Sequence, residues 1–154
     1  MKIRHATSAD APHVAALVTL AYQVEAFFVA GDRTDTNDVL ERLERGEFLL
    51  LEDAGALAGC VYVEGRGAQG YFGMLSIDPR RQRQGLGAAL IRAAEQWCAQ
   101  RGCRVIEIEV VNLRSELPPF YRKLGYLEQE TRRFPDPERA KLPCHFIVMR
   151  KELI

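Results

Sequence analysis

The sequence predicts an α+β fold (mixed α/β) built on a central mixed sheet, and three observations carry that prediction. Apolar residues recur with a two-residue period in some stretches and a helical period in others, giving the order β-α-α-β-β-β-α-β-α-β-β. Two extended runs flank Asp53-Ala54-Gly55-Ala56 as a hairpin, so that part of the sheet is antiparallel. Strand, long helix and strand follow one another between residues 70 and 111, which requires a parallel or splayed pair in the middle of the sheet. No repeat or linker interrupts the 154 residues, so one domain over 1–154 is expected, long enough to bury a core.

Lys2 to Ala6 alternates as a short strand. Ser8-Ala9-Asp10 offers a helix N-cap, and Val14, Leu17, Val18, Ala21 and Tyr22 then share one helical face. Gly31 to Asp35 reads as a loop, followed by a short helix carrying Val39, Leu40 and Leu43 and stopped at Gly46. Phe48 to Glu52 and Leu57 to Glu64 form the hairpin strands, and Gly70 to Ile77 is a third extended run ended by Asp78-Pro79. From Gly85 to Gln100 the period is helical, with Leu86, Leu90, Ala93, Ala94 and Trp97 on one face. Val105 to Val111 is a β-branched strand that alternates Glu107 and Glu109 with Ile106, Ile108 and Val110. Pro118 to Leu124 forms a short helix, and Tyr126 onward and His145 to Arg150 supply two last strands. The segment Thr131 to Pro143, with three prolines, is expected to be irregular and mobile.

Composition removes several classes of function. Apolar residues make up 47% and charged residues 27%, an ordinary globular mixture, and 21 basic residues balance 21 acidic ones. No net field draws in a polyanion, so neither nucleic acid nor an anionic membrane is an expected partner. The opening Met1-Lys2-Ile3-Arg4-His5 starts no apolar run, so no signal peptide or membrane span is expected and the compartment is read as cytoplasmic. Cys60, Cys98, Cys103 and Cys144 show no CxxC pair or zinc spacing, so no metal is expected and buried, reduced thiols are. In an extended segment Cys144 and His145 point to opposite faces, which separates a nucleophile from its would-be base.

The segment from Ile77 to Ala88 carries the strongest chemical signal. A strand ends, a glycine-bearing turn follows, and a long amphipathic helix begins. The first amides of such a helix lack intrahelical partners, and the helix dipole adds positive charge there. Gly85 and Gly87 remove side chains that would hold a pyrophosphate away from those amides, and Arg80, Arg81 and Arg83 add local positive charge. A Walker loop is excluded because no Lys-Ser/Thr follows the second glycine. A dinucleotide fingerprint lacks its third glycine and would belong at the first strand-helix turn. The plain structural alternative is a turn whose glycines relieve crowding and whose arginines are solvated.

Gln82-x-x-Gly85-x-Gly87, after a strand and Ile-Asp-Pro, resembles the acetyl-CoA motif of the GNAT superfamily of acetyltransferases. Asn112 followed by Tyr121-x-x-x-Gly125-Tyr126 is similar to that family's second signature. The two come in the family's order, and the predicted elements match its fold over nearly the whole chain. That fold is a mostly antiparallel sheet with splayed parallel middle strands and helices on both faces. One spacing departs: the family usually reaches the tyrosine seven positions after the asparagine, and here nine separate them, with Pro118-Pro119 inside the stretch.

The resemblance implies an N-acetyltransferase that uses acetyl-CoA as cosubstrate and an amine as acceptor, acting by direct attack within a ternary complex. Gln82, Arg83, Gln84, Gly85, Leu86, Gly87 and Ala88 would hold the pyrophosphate, with Asn112 a further cofactor contact. Leu75, Ser76 and Ile77 would run beside the pantetheine arm, one strand amide polarising the thioester carbonyl. Tyr121 falls at the general-acid position and Glu107, five positions before Asn112, at a general-base position. Glu109 shares the sheet face of Glu107 and is the alternate base, and His145 is a third candidate. The alternative for both glutamates is the solvated side of an edge-like strand, and for Tyr121 a core position. On the acceptor side, Glu25, Asp32, Asp35 and Asp38 would attract a cationic amine and Arg33 a substrate carboxylate, the alternative for each being a solvated surface, while Phe27-Phe28-Val29 is read as core, with the lining of an apolar acceptor pocket as the alternative. A small amine and a protein amino group stand equal as acceptors, and monomer and homodimer as assemblies. The rival class is a non-catalytic acyl-CoA-binding regulatory module.

Overall fold

The computed structural model describes residues 1–82 and 84–153. Seven strands form one sheet: β1 (Lys2–His5), β2 (Glu47–Asp53), β3 (Ala56–Arg66), β4 (Gln69–Ile77), β5 (Val105–Val111), β6 (Leu127–Arg133) and β7 (His145–Glu152). They lie in the order β1-β2-β3-β4-β5-β7-β6, antiparallel throughout except for β4 and β5. Four helices cover it: α1 (Ala11–Ala21), α2 (Thr36–Leu43), α3 (Leu86–Gln100) and α4 (Leu117–Lys123).

Strand β2 shows why the sheet is covered on both sides. Its run Phe48-Leu49-Leu50-Leu51 is buried at every residue, and the side chains alternate between two cores. Leu49 and Leu51 join Val61, Phe72, Ile106 and Ile108 beneath α3. Phe48 and Leu50 join Cys60, Tyr62 and Met74 beneath α1 and α2. Full burial of one such side chain is worth about 2 kcal/mol, so a strand this apolar is stable only between two helical layers. The β2–β3 hairpin turns on Ala54 and Gly55, both at positive φ, as a two-residue connection requires.

Two features open the middle of the sheet. Strands β4 and β5 pair only at Gln69–Tyr71 against Val105–Glu107. Beyond Tyr71, β4 bulges: Cys60 faces Ser76 and Tyr62 faces Gly73, so Met74 and Leu75 together oppose Val61. Met74 has φ of 53°, and the buried Ser76 hydroxyl donates to the Met74 carbonyl at 2.9 Å, fixing the kink. The C-terminal halves of β4 and β5 therefore diverge into a cleft.

Most predicted elements lie within a residue or two of their expected positions. Helix α2 begins earlier than its apolar pattern, at Thr36, because the Asp35 carboxylate accepts from the Asp38 amide as an N-cap. Strand β5 is not edge-like: β4 pairs with its start on one side, and β7, which inserts between it and β6, pairs along its whole length on the other. The segment expected to be irregular is ordered by partners. Strand β6 extends to Arg133, and residues 139–141 then pair with residues 26–30, Lys141 N donating to Phe28 O at 2.7 Å and Ala30 N to Arg139 O at 2.8 Å.

Candidate active site

A cavity of about 1270 Å³ occupies the cleft and is bounded by β4, β5, the start of α3, α4 and the two paired loops. Its first wall is the start of α3. Gly85 caps the helix at φ 74°, a left-handed conformation that glycine adopts without cost. A Cβ added at Gly85 or at Gly87 would meet nothing within 4 Å, so both glycines leave free space above the first amides of α3. Gln82, Gly85, Leu86, Gly87 and Ala88 line the cavity. Gln84 does not line it, and the expected contact at Arg83 lies outside the described residues.

The local positive charge expected here is largely spent within the protein. Arg80 pairs with Asp78 at 2.9 Å and Arg81 with Asp53 at 2.7 Å. Hydrogen bonds from Arg80 hold the Asp78 carboxyl down to about 2. Anion attraction at this wall thus rests on unpaired amides and the dipole of a fifteen-residue helix.

Strand β4 forms the second wall. Leu75 and Ile77 line the cavity, whereas Ser76 turns into the protein, where its hydroxyl supports the bulge. By leaving one residue out of the ladder, the bulge frees backbone amide capacity at the cleft.

Helix α4 presents Tyr121. The residue is 6% exposed and lines the cavity, its ring set by Phe120, Tyr126 and Phe72 at centroid distances of 5.1, 5.7 and 6.1 Å. Tyr126 is anchored in turn by its hydroxyl, which donates to Glu95 at 2.7 Å. Burial pushes the Tyr121 phenol above its ordinary value, and its hydroxyl pairs with no other described residue. It is a neutral donor on a residue that lines the cavity. Tyr22 and Tyr71, which the sequence did not single out as site residues, line the same cavity.

Of the two glutamates on β5, Glu107 is 1% exposed and does not line the cavity. Its oxygens accept from Arg132 at 2.9 Å and Arg150 at 2.9 Å. Burial raises its proton affinity, but the hydrogen bonds from the two guanidiniums outweigh that and hold it below the usual carboxylate value. A carboxylate so engaged is a poor proton acceptor. Glu109 lines the cavity, and its one guanidinium contact, to Arg132, is longer at 3.4 Å.

Asn112 likewise lies outside the cavity lining. Its side-chain oxygen accepts from the His145 amide at 2.8 Å, which fixes the start of β7, and His145 also stays outside. Seven positions before Tyr121 stands Arg114, and five before that stands Glu109. Both line the cavity where Asn112 and Glu107 do not.

The loops after α1 and after β6 supply the remaining wall. Glu25 lines the cavity and accepts from Arg114 at 3.0 Å, and its burial raises its proton affinity against the pull of that guanidinium. Asp32 and Arg33 also line it. Asp35 and Asp38 are occupied elsewhere, Asp35 as the α2 cap and Asp38 with Arg42 at 3.3 Å. Phe28 is core as expected, Phe27 is 56% exposed, and Val29 reaches the cavity. Cys60, Cys98 and Cys103 are buried free thiols. No group of His, Cys, Asp and Glu among the described residues is arranged to hold a metal, and no described helix is long and apolar enough to cross a membrane.

The model of the family described as "Acetyltransferase (GNAT) family" matches residues 16–126. A curated relative, the uncharacterized protein YxbD of Bacillus subtilis (strain 168), is 32% identical over 88 residues, 53% of this chain and 55% of that protein. The match thus spans about half the length of that relative. Among solved structures, the ribosomal-protein-S18-alanine N-acetyltransferase from Escherichia coli superposes with a TM-score of 0.75 at 22% identity, over 99% of this chain and 93% of that one. A GNAT family acetyltransferase from Elizabethkingia anophelis with acetyl-CoA bound gives 0.78 at 17% identity, over 99% and 97%. At these identities the likeness is one of fold.

Proposed function

The chain belongs to the GNAT acetyltransferase family, and from that membership we propose that it is an acyl-CoA-dependent N-acyltransferase, moving an acetyl group from acetyl-CoA to a primary amine. The observation that carries the reading is the meeting of three features in one cavity: a helix start left clear by two glycines, a bulged strand, and a buried tyrosine with an unpaired hydroxyl.

Acetyl-CoA fits the residues present, since the space beside Gly85 and Gly87 is open down to the α3 amides. When bound it supplies the activated thioester. The first amides of α3 bind the pyrophosphate, and Leu75 and Ile77 flank the pantetheine arm. An amide of the β4 bulge donates to the thioester carbonyl oxygen as negative charge grows there, a kind of stabilisation that is often the largest catalytic contribution.

An amine acceptor with a pKa near about 10 must shed a proton before it attacks. Glu109 takes that proton, directly or through one water. Glu107, the base implied by the family spacing, acts through Arg132 and Arg150 as a structural carboxylate. Tyr121 gives its phenolic proton to the departing thiolate, which a phenol can do while itself neutral.

Incubation with acetyl-CoA and an amine panel, followed by mass spectrometry, is expected to yield a product heavier by one acetyl group together with free CoA. Binding of CoA with no acetylated product from any amine would support the non-catalytic acyl-CoA-binding module instead.

A further inference from the structure

Building on the acyltransferase reading, we propose that the acceptor is a small amine that also carries an oxyanion group, a carboxylate or its chemical equivalent, and that Arg33 binds that group. Among the described residues, five basic side chains line the cavity: Arg33, Arg42, Arg114, Arg139 and Lys141. Four are committed within the protein. Arg42 holds Asp38 at 3.3 Å and lies over the Tyr62 ring. Arg114 holds Glu25 and Glu116, each at 3.0 Å. Arg139 donates to the carbonyls of Ala30 and Asp32, each at 2.8 Å, and Lys141 to that of Ala26 at 2.8 Å.

Arg33 is half-buried and pairs with no carboxylate or carbonyl among the described residues. Its guanidinium carbon stands 5.4 Å from the centroid of the Tyr22 ring. A ring face steadies a guanidinium without using its N–H edge, so the fork that matches a carboxylate stays available. The charge of Arg33 is felt at Tyr22, Glu25 and Tyr71, all cavity residues, which sets it among them. A guanidinium partly removed from water that makes no direct ion pair with a described residue is free to take a ligand oxyanion as its partner.

Two carboxylates complete the recognition. Glu25 and Glu109 line the same cavity and attract the acceptor's ammonium before it is deprotonated. The loops on the Arg33 side of the cavity are also tied together. Arg139 and Lys141 tie the loop after β6 to carbonyls of Ala26, Ala30 and Asp32, and a Val29–Ala140 bridge joins the same loops. A cleft flanked by tied loops, with Arg33 its one cation left unpaired among the described residues, suits a small zwitterion better than the flat surface of a folded protein.

The test is a set of matched acceptors, α-amino carboxylates and their neutral amides, assayed with acetyl-CoA on the wild type, Arg33→Gln and Arg33→Lys. A charge-assisted pair predicts kcat/KM about 10- to 100-fold higher for each carboxylate than for its amide in the wild type. Arg33→Gln is expected to erase that preference, the loss falling on the carboxylates and mainly in KM, and Arg33→Lys to restore part of it. Unchanged thermal stability and CoA binding in both variants show that the fold is intact. Equal use of carboxylate and amide by the wild type, or equal loss of both in Arg33→Gln, would overturn the assignment. If no amine is acetylated, the acyltransferase reading fails separately, and Arg33 is judged by thermal shift of the CoA-loaded protein. Stabilisation by the carboxylates alone, lost in Arg33→Gln, would sustain the oxyanion site, and its absence would refute it.

Discussion

Arg132 donates to Glu107 at 2.9 Å and to Glu109 at 3.4 Å, so one guanidinium spans two carboxylates that stand two residues apart on β5. Arg150 adds a second hold on Glu107, which leaves Glu109 the freer of the two and the one that faces the cavity. The two substitutions therefore separate. Glu109→Gln is expected to lower kcat about 100-fold with little change in stability, because a general base contributes on that order. Glu107→Gln is expected to cost about 2 kcal/mol in a urea titration, a figure below the usual one for a broken buried pair because Arg132 and Arg150 keep roughly a third of their exposure.

The same residue sets an acid dependence. Because the folded protein holds Glu107 below the ordinary carboxylate value, the stability it contributes is fully present above the unfolded value of about 4.3. That contribution is lost as pH falls through the lower folded value. Urea midpoints of wild type and Glu107→Gln should differ most near neutrality and converge as the pH falls below the ordinary carboxylate range. A gap that stays constant with pH would mean that the variant acts through packing instead of charge.

Tyr121 stays protonated across the neutral range, since burial pushes its phenol above the ordinary value of about 10. Tyr121→Phe should slow CoA release about 100-fold while leaving the affinity for CoA within about twofold. The wild-type kcat profile should show no falling limb from this group below about pH 10. Equal turnover in the phenylalanine variant would remove Tyr121 from the reaction.

Gly85 and Gly87 test the cradle in opposite ways. Gly85 sits at φ 74°, so Gly85→Ala should cost about 1 kcal/mol through backbone strain, read as a lowered Tm. Gly87 lies within the first turn of α3, where an added methyl meets nothing. Gly87→Ala should leave Tm unchanged or raised by replacing a helical glycine, while weakening CoA binding at least severalfold by intruding on the cradle. Calorimetric titration with CoA would show a loss of affinity without a loss of stability.

The fold was legible where one signal dominates. The period of α3, the β-branched alternation of β5 and the Ala54-Gly55 turn each specify their element locally, and the structure keeps all three. The site was legible in part. Alternation on β5 puts Glu107 and Glu109 on one face but cannot say which meets the cavity, because their arginine partners come from residues 132 and 150 on strands far along the chain. The positive charge read at Arg81 is cancelled by Asp53, twenty-eight positions away. Which residues near α4 and β5 line the cavity was not legible either: Arg114 and Glu109 do, whereas Asn112 and Glu107 were expected there.

The most direct test of the central claim is the rate of CoA thiol release from acetyl-CoA, followed with a thiol-reactive chromophore in the presence and absence of primary amines. Amine-dependent release is predicted, strongly reduced in both Tyr121→Phe and Glu109→Gln, with CoA still bound. Tight CoA binding with no amine-dependent release from any acceptor, or release untouched by both substitutions, would contradict the account.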